Sequence, residues 1–326
     1  MKRRELMRAM GALALAHPAA APMAFAQEEP AAYPSRPIRV LIGFAPGGST
    51  DTPVRVLAEA VSKILRQPVV IENKPGAAGV IPKQLLQAAA PDGYTLAIAP
   101  AGVYRLPYTT DIKWNPATDL GYVIGLSGYA FGTVVPASSP IRSLADYIAY
   151  AKANPELLTY SSPGVGTTNH LTMEQFSRAA GVKLNHVPYK GSAESLQALL
   201  AGHVQSAVET SAWVPYVESG KLRLLAVWSG KRMARFPKVP TLKELGIDIV
   251  QTSPWGLVAP KNTPSRIQVR LHDAFKQAME MPAFKEALAR FDMEPDYRDP
   301  VQYQRFAVES MKKEKEILGT LGLSRK

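Results

Sequence analysis

The sequence predicts an α/β fold of two lobes, with mainly parallel sheets and a helical C-terminal segment. Three observations lead there. Apolar, β-branched runs alternate with segments of helical spacing. The joints between them are short and rich in Gly, Pro and hydroxyl residues. The order of elements in the first half also recurs in the second.

Element by element, "IRVLIGF" reads as a strand, "DTPVRVLAEAVSKIL" as a helix and "PVVIEN" as a strand. A glycine-rich loop, "KPGAAG", opens the helix "VIPKQLLQAAA", and "DGYTLAIAP" is a turn followed by a strand. In the second half come "LADYIAYAKANP" (helix), "LLTYSS" (strand), "TNHLTMEQFSRAAG" (helix) and "VKLNHVPY" (strand). Then follow "SAESLQALLAGH" (helix), "VQSAVE" (strand) and "KLRLLAVWS" (strand). The less regular stretch from Ala101 to Ser139 fits a crossover between lobes. From "PWGLVAP" onward the pattern is mostly helical, with Pro264, Pro282 and Pro300 where helices begin. The expected division is 33–127 plus 254–326 for one lobe and 128–253 for the other, with hinge crossings near Ser127 and Ser253.

The first 26 residues stand apart. A basic start, a short Ala-rich apolar run and Ala24-Phe25-Ala26 predict an export signal cut before Gln27. Arg3-Arg4 leaves the twin-arginine and the general route both open. Residues 27–36 read as a flexible leader. Of 38 basic and 27 acidic residues, four and one fall in the signal, so the exported chain keeps a net charge of +8. That balance favours anionic partners. The bases are dispersed, and no basic-aromatic ladder appears, which argues against nucleic acid. The chain has no cysteine, which excludes thiol catalysis and cysteine-ligated metals and leaves core size to stabilise an exported fold. No later run of ~18 apolar residues would span a bilayer.

The chemistry concentrates in three strand-to-helix joints. The first is Phe44, Ala45, Pro46, Gly47, Gly48, Ser49, Thr50 and Asp51. The second runs from Ser161 to Asn169 ("SSPGVGTTN"), and the third from Tyr189 to Ser195 ("YKGSAES"). Helix N-termini carry unpaired N–H groups and partial positive charge, and glycine lets a ligand approach the backbone. One such joint is ordinary turn and capping chemistry; three, on two lobes, point to an anion site. Asp51 is open to two readings, a ligand contact or a helix cap.

Nucleotide and nucleophile templates fail. Gly48 is followed by Ser49 and Thr50 where a P-loop needs Lys, and Asn169 stands where a G-x-G-x-x-G needs its last Gly. No G-x-S-x-G elbow supports a serine nucleophile. His170, His186, His203 and His272 are not spaced to ligate zinc together, and packing or capping accounts for His186 as well as function does.

With these stretches in place, the sequence resembles the Bug family, the extracytoplasmic solute receptors of tripartite tricarboxylate transporters. "YPSRPIRVLIGFAPGGSTD", "QPVVIENKPGAAG", "APDGYTLAIAP", "SSPGVGTTNHLTMEQFSRAAGVKLNHVPYKGSAESLQALLAGHVQ", "GKLRLLAV" and "FPKVPTLKELG" carry the likeness, in family order, from Tyr33 to about Leu323. The resemblance implies a type II periplasmic binding protein fold, a Venus flytrap, that closes around a small organic acid in the periplasm. It also implies a monomer that delivers to the membrane subunits of the transporter and uses no cofactor, metal or catalytic residue. A carboxylate would sit between the loop 44–51 and Ser162, Gly164, Val165, Gly166, Thr167, Thr168 and Asn169. Tyr189, Gly191 and Ser192 match a further joint, with Ser192 replacing a usual glycine. Glu209 stands where the family carries Asp, and Val165 where a polar residue is common. Arg105 is a candidate at the mouth, the alternative being a surface arginine.

Phe44, Tyr104, Trp213 and Trp255 are candidates for stacking on a ring, against ordinary core packing. Bulk at Gly48 or Gly164 is expected to weaken binding more than folding. The rival readings are a signalling binder with the same fold, and a serine hydrolase using Ser49 or Ser162 with a histidine.

Overall fold

The computed structural model describes residues 33–325. The expected export signal, 1–26, lies outside the described residues. In chain order the first half runs β1 (Ile38–Ile42), α1 (Asp51–Leu65), β2 (Val69–Asn73), α2 (Ile81–Gln87), β3 (Thr95–Ala99), α3 (Gly102–Thr109) and β4 (Leu120–Tyr129). It continues with β5 (Phe131–Pro136), α4 (Leu144–Ala153), β6 (Thr159–Ser162), α5 (Thr168–Ala180), β7 (Asn185–Pro188), α6 (Ser192–Leu200) and β8 (Ser206–Thr210). The remainder is α7 (Val214–Glu218), β9 (Leu222–Val227), β10 (Ser253–Pro260), α8 (Ser265–Met279), α9 (Pro282–Ala289), β11 (Pro295–Arg298) and α10 (Pro300–Leu321).

Local chemistry accounts for most of these elements. In α1, Val54, Leu57, Ala58, Val61 and Leu65 recur at helical spacing and are all buried, and Arg66 ends the helix in the left-handed region. Ser143 and Asp146 form a capping box on α4, as Asp299 and Gln302 do on α10. Pro282 and Pro300 occupy the first helical position, where a missing N–H costs nothing, and Pro264 stands just before α8.

The strands form two sheets. One has six strands in the order β11-β4-β10-β3-β1-β2, the other five in the order β7-β6-β8-β5-β9. The two-lobed α/β class stands, but the sheets are mixed rather than mainly parallel. β1, β2 and β3 pair in parallel, as do β6, β7 and β8, whereas β4, β10 and β11 on one side and β5 and β9 on the other run antiparallel.

The stretch from Ala101 to Ser139 is also not irregular. It contains α3 and the long strands β4 and β5. Glycines in β4 mask the strand signal, and tertiary packing explains one of them. A Cβ on Gly125 would lie 2.8 Å from Cβ of Arg298, so only glycine lets β11 pair there. Likewise "PWGLVAP" begins not with a helix but with β10, which is buried between β3 and β4.

The chain passes from the first sheet to the second between Tyr129 and Phe131. Aromatic rings run through this crossing. Trp255 stacks on Tyr129 (5.8 Å), Tyr129 meets Phe131 edge-on (6.3 Å), and Phe131 stacks on Trp228 (5.7 Å). Such pairs contribute about 0.5–1.5 kcal/mol each beyond burial, so the crossing is a packed element.

Candidate ligand-binding cleft

The β1–α1 joint of the first sheet faces the β6–α5 and β7–α6 joints of the second across a small cavity of about 40 Å³. Phe44, Ala45, Gly48, Ser49, Thr50 and Asp51 form one wall. Pro163, Thr167, Thr168 and Asn169, with Ser192 and Thr210, form the opposite one. Three helix N-termini, those of α1, α5 and α6, therefore border one space, two of them from the second lobe. Donors aimed from both sides are what a single carboxylate needs.

The two walls touch. The Ser49 and Thr210 hydroxyls are 2.6 Å apart, and Thr210 is also 3.0 Å from Ser192 Oγ. The Ala45 N–H donates to the Lys190 carbonyl at 3.2 Å. Thr50 Oγ1 lies 2.6 Å from the Tyr129 hydroxyl, whose pKa burial pushes up, so Tyr129 stays a neutral phenol. Asn169 is fixed by its Nδ2 donating to the Val208 carbonyl at 2.9 Å.

Asp51 is the first residue of α1 rather than its cap, which is Thr50, and its carboxylate is bonded within the loop. Its carboxylate accepts from the Gly47 N–H (3.0 Å), Arg55 Nε (2.9 Å) and Asn73 Nδ2 (2.8 Å). The same Asn73 amide donates to the Phe44 carbonyl at 3.0 Å. Asp51 thus braces the loop from behind rather than offering a free charge.

Arg105 is not a surface arginine. It is 4% exposed and lines the cavity from α3. Its Nε and one Nη bind Glu314 of α10 at 2.6 and 2.9 Å, and its remaining bonds reach the Gly166 carbonyl (3.1 Å) and Thr168 Oγ1 (2.8 Å) across the cleft. A second strap lies further out, where Arg178 of α5 donates to the carbonyls of Thr320 (2.7 Å) and Leu321 (2.5 Å) at the end of α10.

The other expected site residues lie outside the wall. Pro46, Gly47, Ser162, Gly164, Val165, Gly166, Tyr189, Gly191 and Glu209 do not line the cavity. Gly164 (φ +137°) and Gly166 (φ +77°) shape the second loop through backbone conformations that side chains resist. Val165 is 61% exposed, so its departure from the family pattern does not touch the cavity. Glu209 is fully buried on β8, one residue before Thr210 and hence on the other face of the strand. Neither of its carboxylate oxygens has a hydrogen-bond partner. Burial pushes its pKa up to about 8, with the nearby Ser192 and Ser195 hydroxyls opposing the shift.

Of the four aromatic candidates only Phe44 lines the cavity. Tyr104, Trp213 and Trp255 are core residues, and Tyr129 and Phe131 take the place expected of them. The sequence reading also missed Ala78, Pro100, Ala101 and Gly102, which line the cavity too. The one available signal was the "KPGAAG" loop, where Ala77 and Ala78 both adopt positive φ.

Ser162 and His186 do meet, with Oγ 2.7 Å from Nε2. The pair lies off the cavity wall, with Ser162 buried and His186 half-buried, and His186 stacks between Tyr160 (4.8 Å) and His170 (4.4 Å). Burial, with His170 beside it, lowers the His186 pKa to about 4. Among the described residues, no group of three or more His, Cys, Asp or Glu side chains could hold a metal, and no helix is long and apolar enough to cross a membrane.

Comparison with known proteins agrees with this geometry. A sequence model described as "Tripartite tricarboxylate transporter family receptor" matches residues 54–323. The chain is 62% identical over 300 residues, 92% of each protein, to a UPF0065 protein in the gbd 5' region of Cupriavidus necator. It is 36% identical to Protein BugT of Bordetella pertussis, covering 86% of this chain and 88% of that one.

The structure of periplasmic binding protein BugD superposes with a TM-score of 0.85 at 28% identity, over 90% of this chain and all of that one (100%). MatC from Rhodopseudomonas palustris, with bound malate, gives 0.83 at 26% identity, over 88% and 100%. The R. palustris protein Rpa4515, with adipate, gives 0.83 at 31% identity, over 89% and 98%. These relatives are solute-binding receptors, not enzymes, so the serine hydrolase reading falls. The chain belongs to the tripartite tricarboxylate transporter receptor family, as a Bug-type periplasmic solute-binding protein.

Proposed function

We propose that this receptor captures a small carboxylate between its two lobes and hands it to the membrane subunits of a tripartite tricarboxylate-type transporter. The observation that carries the reading is the convergence of the α1, α5 and α6 N-termini, from both lobes, on one cavity. Hydrogen bonds to a charged group contribute roughly 1.5–3 kcal/mol each, and micromolar affinity needs about 8 kcal/mol. Four or five aimed donors supply that after ordering costs. The malate and adipate held by two relatives support a carboxylate here without naming it. In this reading the lobes divide close to the expected 33–127 plus 254–326 against 128–253, with Gly128, Tyr129 and Ser253 staying in the strands of the first sheet, and the exported chain acts as a monomer.

Thermal-shift screening of the purified exported chain tests the capture step. Mono-, di- and tricarboxylates, aromatic acids and amides form the panel, and a true ligand raises the melting temperature with concentration. A panel in which only amides or neutral solutes raise it would overturn the carboxylate assignment. Delivery is tested by uptake of the identified ligand in cells with and without this receptor; equal uptake would instead favour a sensing role.

A further inference from the structure

We infer that this cleft takes a monocarboxylate with an uncharged body, and that Glu314 sets this specificity by neutralising Arg105. The inference rests on the carboxylate-receptor reading and narrows it. Among the residues that line the cavity, the ones with formal charge are Asp51 and Arg105. Both are already balanced. Asp51 is held by Arg55 at 2.9 Å, and Arg105 by Glu314 in a two-pronged pair of 2.6 and 2.9 Å. The Arg105–Glu314 pair is buried, with side chains 5% and 8% exposed, so solvent screens it little.

The consequence is one anion seat, not two. The first carboxylate is met by the three helix N-termini beside Ser49, Thr168 and Ser192. The rest of the lining includes Phe44, Ala78, Pro100, Ala101 and Gly102, with the phenol of Tyr129 already bonded to Thr50. A second carboxylate would lose its water against this apolar wall without meeting an unpaired cation. An unpaired arginine in the Arg105 position would have been that cation, since its fork matches a carboxylate. Glu314, reaching in from α10, occupies the fork first.

The test uses matched pairs of equal chain length: butyrate against succinate, hexanoate against adipate, and benzoate against terephthalate. Titration calorimetry on the exported protein should show the monocarboxylate binding at least tenfold tighter in every pair that binds. In Glu314→Gln the freed guanidinium should narrow that ratio at least fivefold by strengthening dicarboxylate binding. Because this variant leaves a buried charge, Arg105→Met/Glu314→Met serves beside it: the pair is gone, no charge is exposed, and the preference should match the wild type. A residue that merely braced the fold would lower both affinities together and leave the ratio unchanged. A wild-type preference for the dicarboxylate, or an unchanged ratio in Glu314→Gln, overturns the inference alone. Failure of every carboxylate to bind overturns the receptor reading beneath it.

Discussion

Ser49 and Thr210 touch across the cleft at 2.6 Å although 161 residues separate them in the chain. Each hydroxyl belongs to a different lobe, and each lines the cavity. Ser49→Ala removes the cross-cleft bond but leaves Thr210 bonded to Ser192 at 3.0 Å. No buried group is orphaned, so the expected loss is about 1 kcal/mol of stability, read from the urea midpoint. A loss of more than about 3 kcal/mol would mean that Ser49 supports something other than this contact.

Gly48 and Gly164 should separate binding from folding. A Cβ on Gly48 would meet only Ser192 Cβ, at 3.9 Å, so Gly48→Val fills the cavity without straining the backbone. Binding should weaken at least tenfold, about 1.4 kcal/mol, with the melting temperature nearly unchanged. At Gly164 the backbone adds a cost to folding that its sequence position does not reveal. Its φ of +137° is a conformation that side chains rarely adopt. Gly164→Ala should therefore cost about 1–3 kcal/mol of stability, and any loss of binding follows from a distorted loop. Equal melting temperatures for the two variants would contradict this.

Glu209 and His186 give the stability a pH signature. The Glu209 carboxyl is raised to about 8 in the folded protein. Its stabilising contribution is full below the unfolded value near 4.5 and fades as pH rises toward about 8. His186 is depressed to about 4, so its contribution is present above about 6.5 and is lost as pH falls toward about 4. Between about 4.5 and 6.5 the two oppose each other, and above about 6.5 only the Glu209 decline remains. Glu209→Gln should remove that decline, which is at most about 1.4 kcal/mol per pH unit for one group. Denaturant midpoints of both proteins from pH 5 to pH 9, measured in parallel, would refute the assignment by keeping a constant difference.

Closure is read by small-angle scattering. Arg105 and Arg178 both strap the second lobe to elements of the first, through Gly166 and Thr168 and through Thr320 and Leu321. If the lobes move about the crossing between Tyr129 and Phe131, a saturating ligand should reduce the radius of gyration. An unchanged radius with ligand shown to be bound would rule out hinge closure.

Much of the fold was legible in short stretches. α1 spans the same residues as its apolar spacing indicates, and the joints at 44–51 and 162–169 announce themselves because Gly, Pro and hydroxyls next to a strand have few other uses. β4 was hidden by its glycines, one of which, Gly125, admits Arg298 of β11, a residue 173 positions further along (298 − 125). Part of the cavity lining was hidden for a similar reason. Ala78, Ala101 and Phe131 carry no chemistry that marks them, and only packing brings them to one place.

By itself, then, the sequence determined the α/β alternation, the three helix starts that can hold an anion, and membership of a receptor family. The first two depend on neighbours a few residues apart, where backbone geometry and capping act; the third rests on the likeness of many stretches in family order. Only the tertiary structure decided that Arg105 is a buried, neutralised strap rather than a surface charge, and that Glu209 is fully buried off the cavity wall. Glu314 lies 209 residues from Arg105, and no local pattern reports a partner that far away. The burial of a charge and its cancellation are properties of the packed chain.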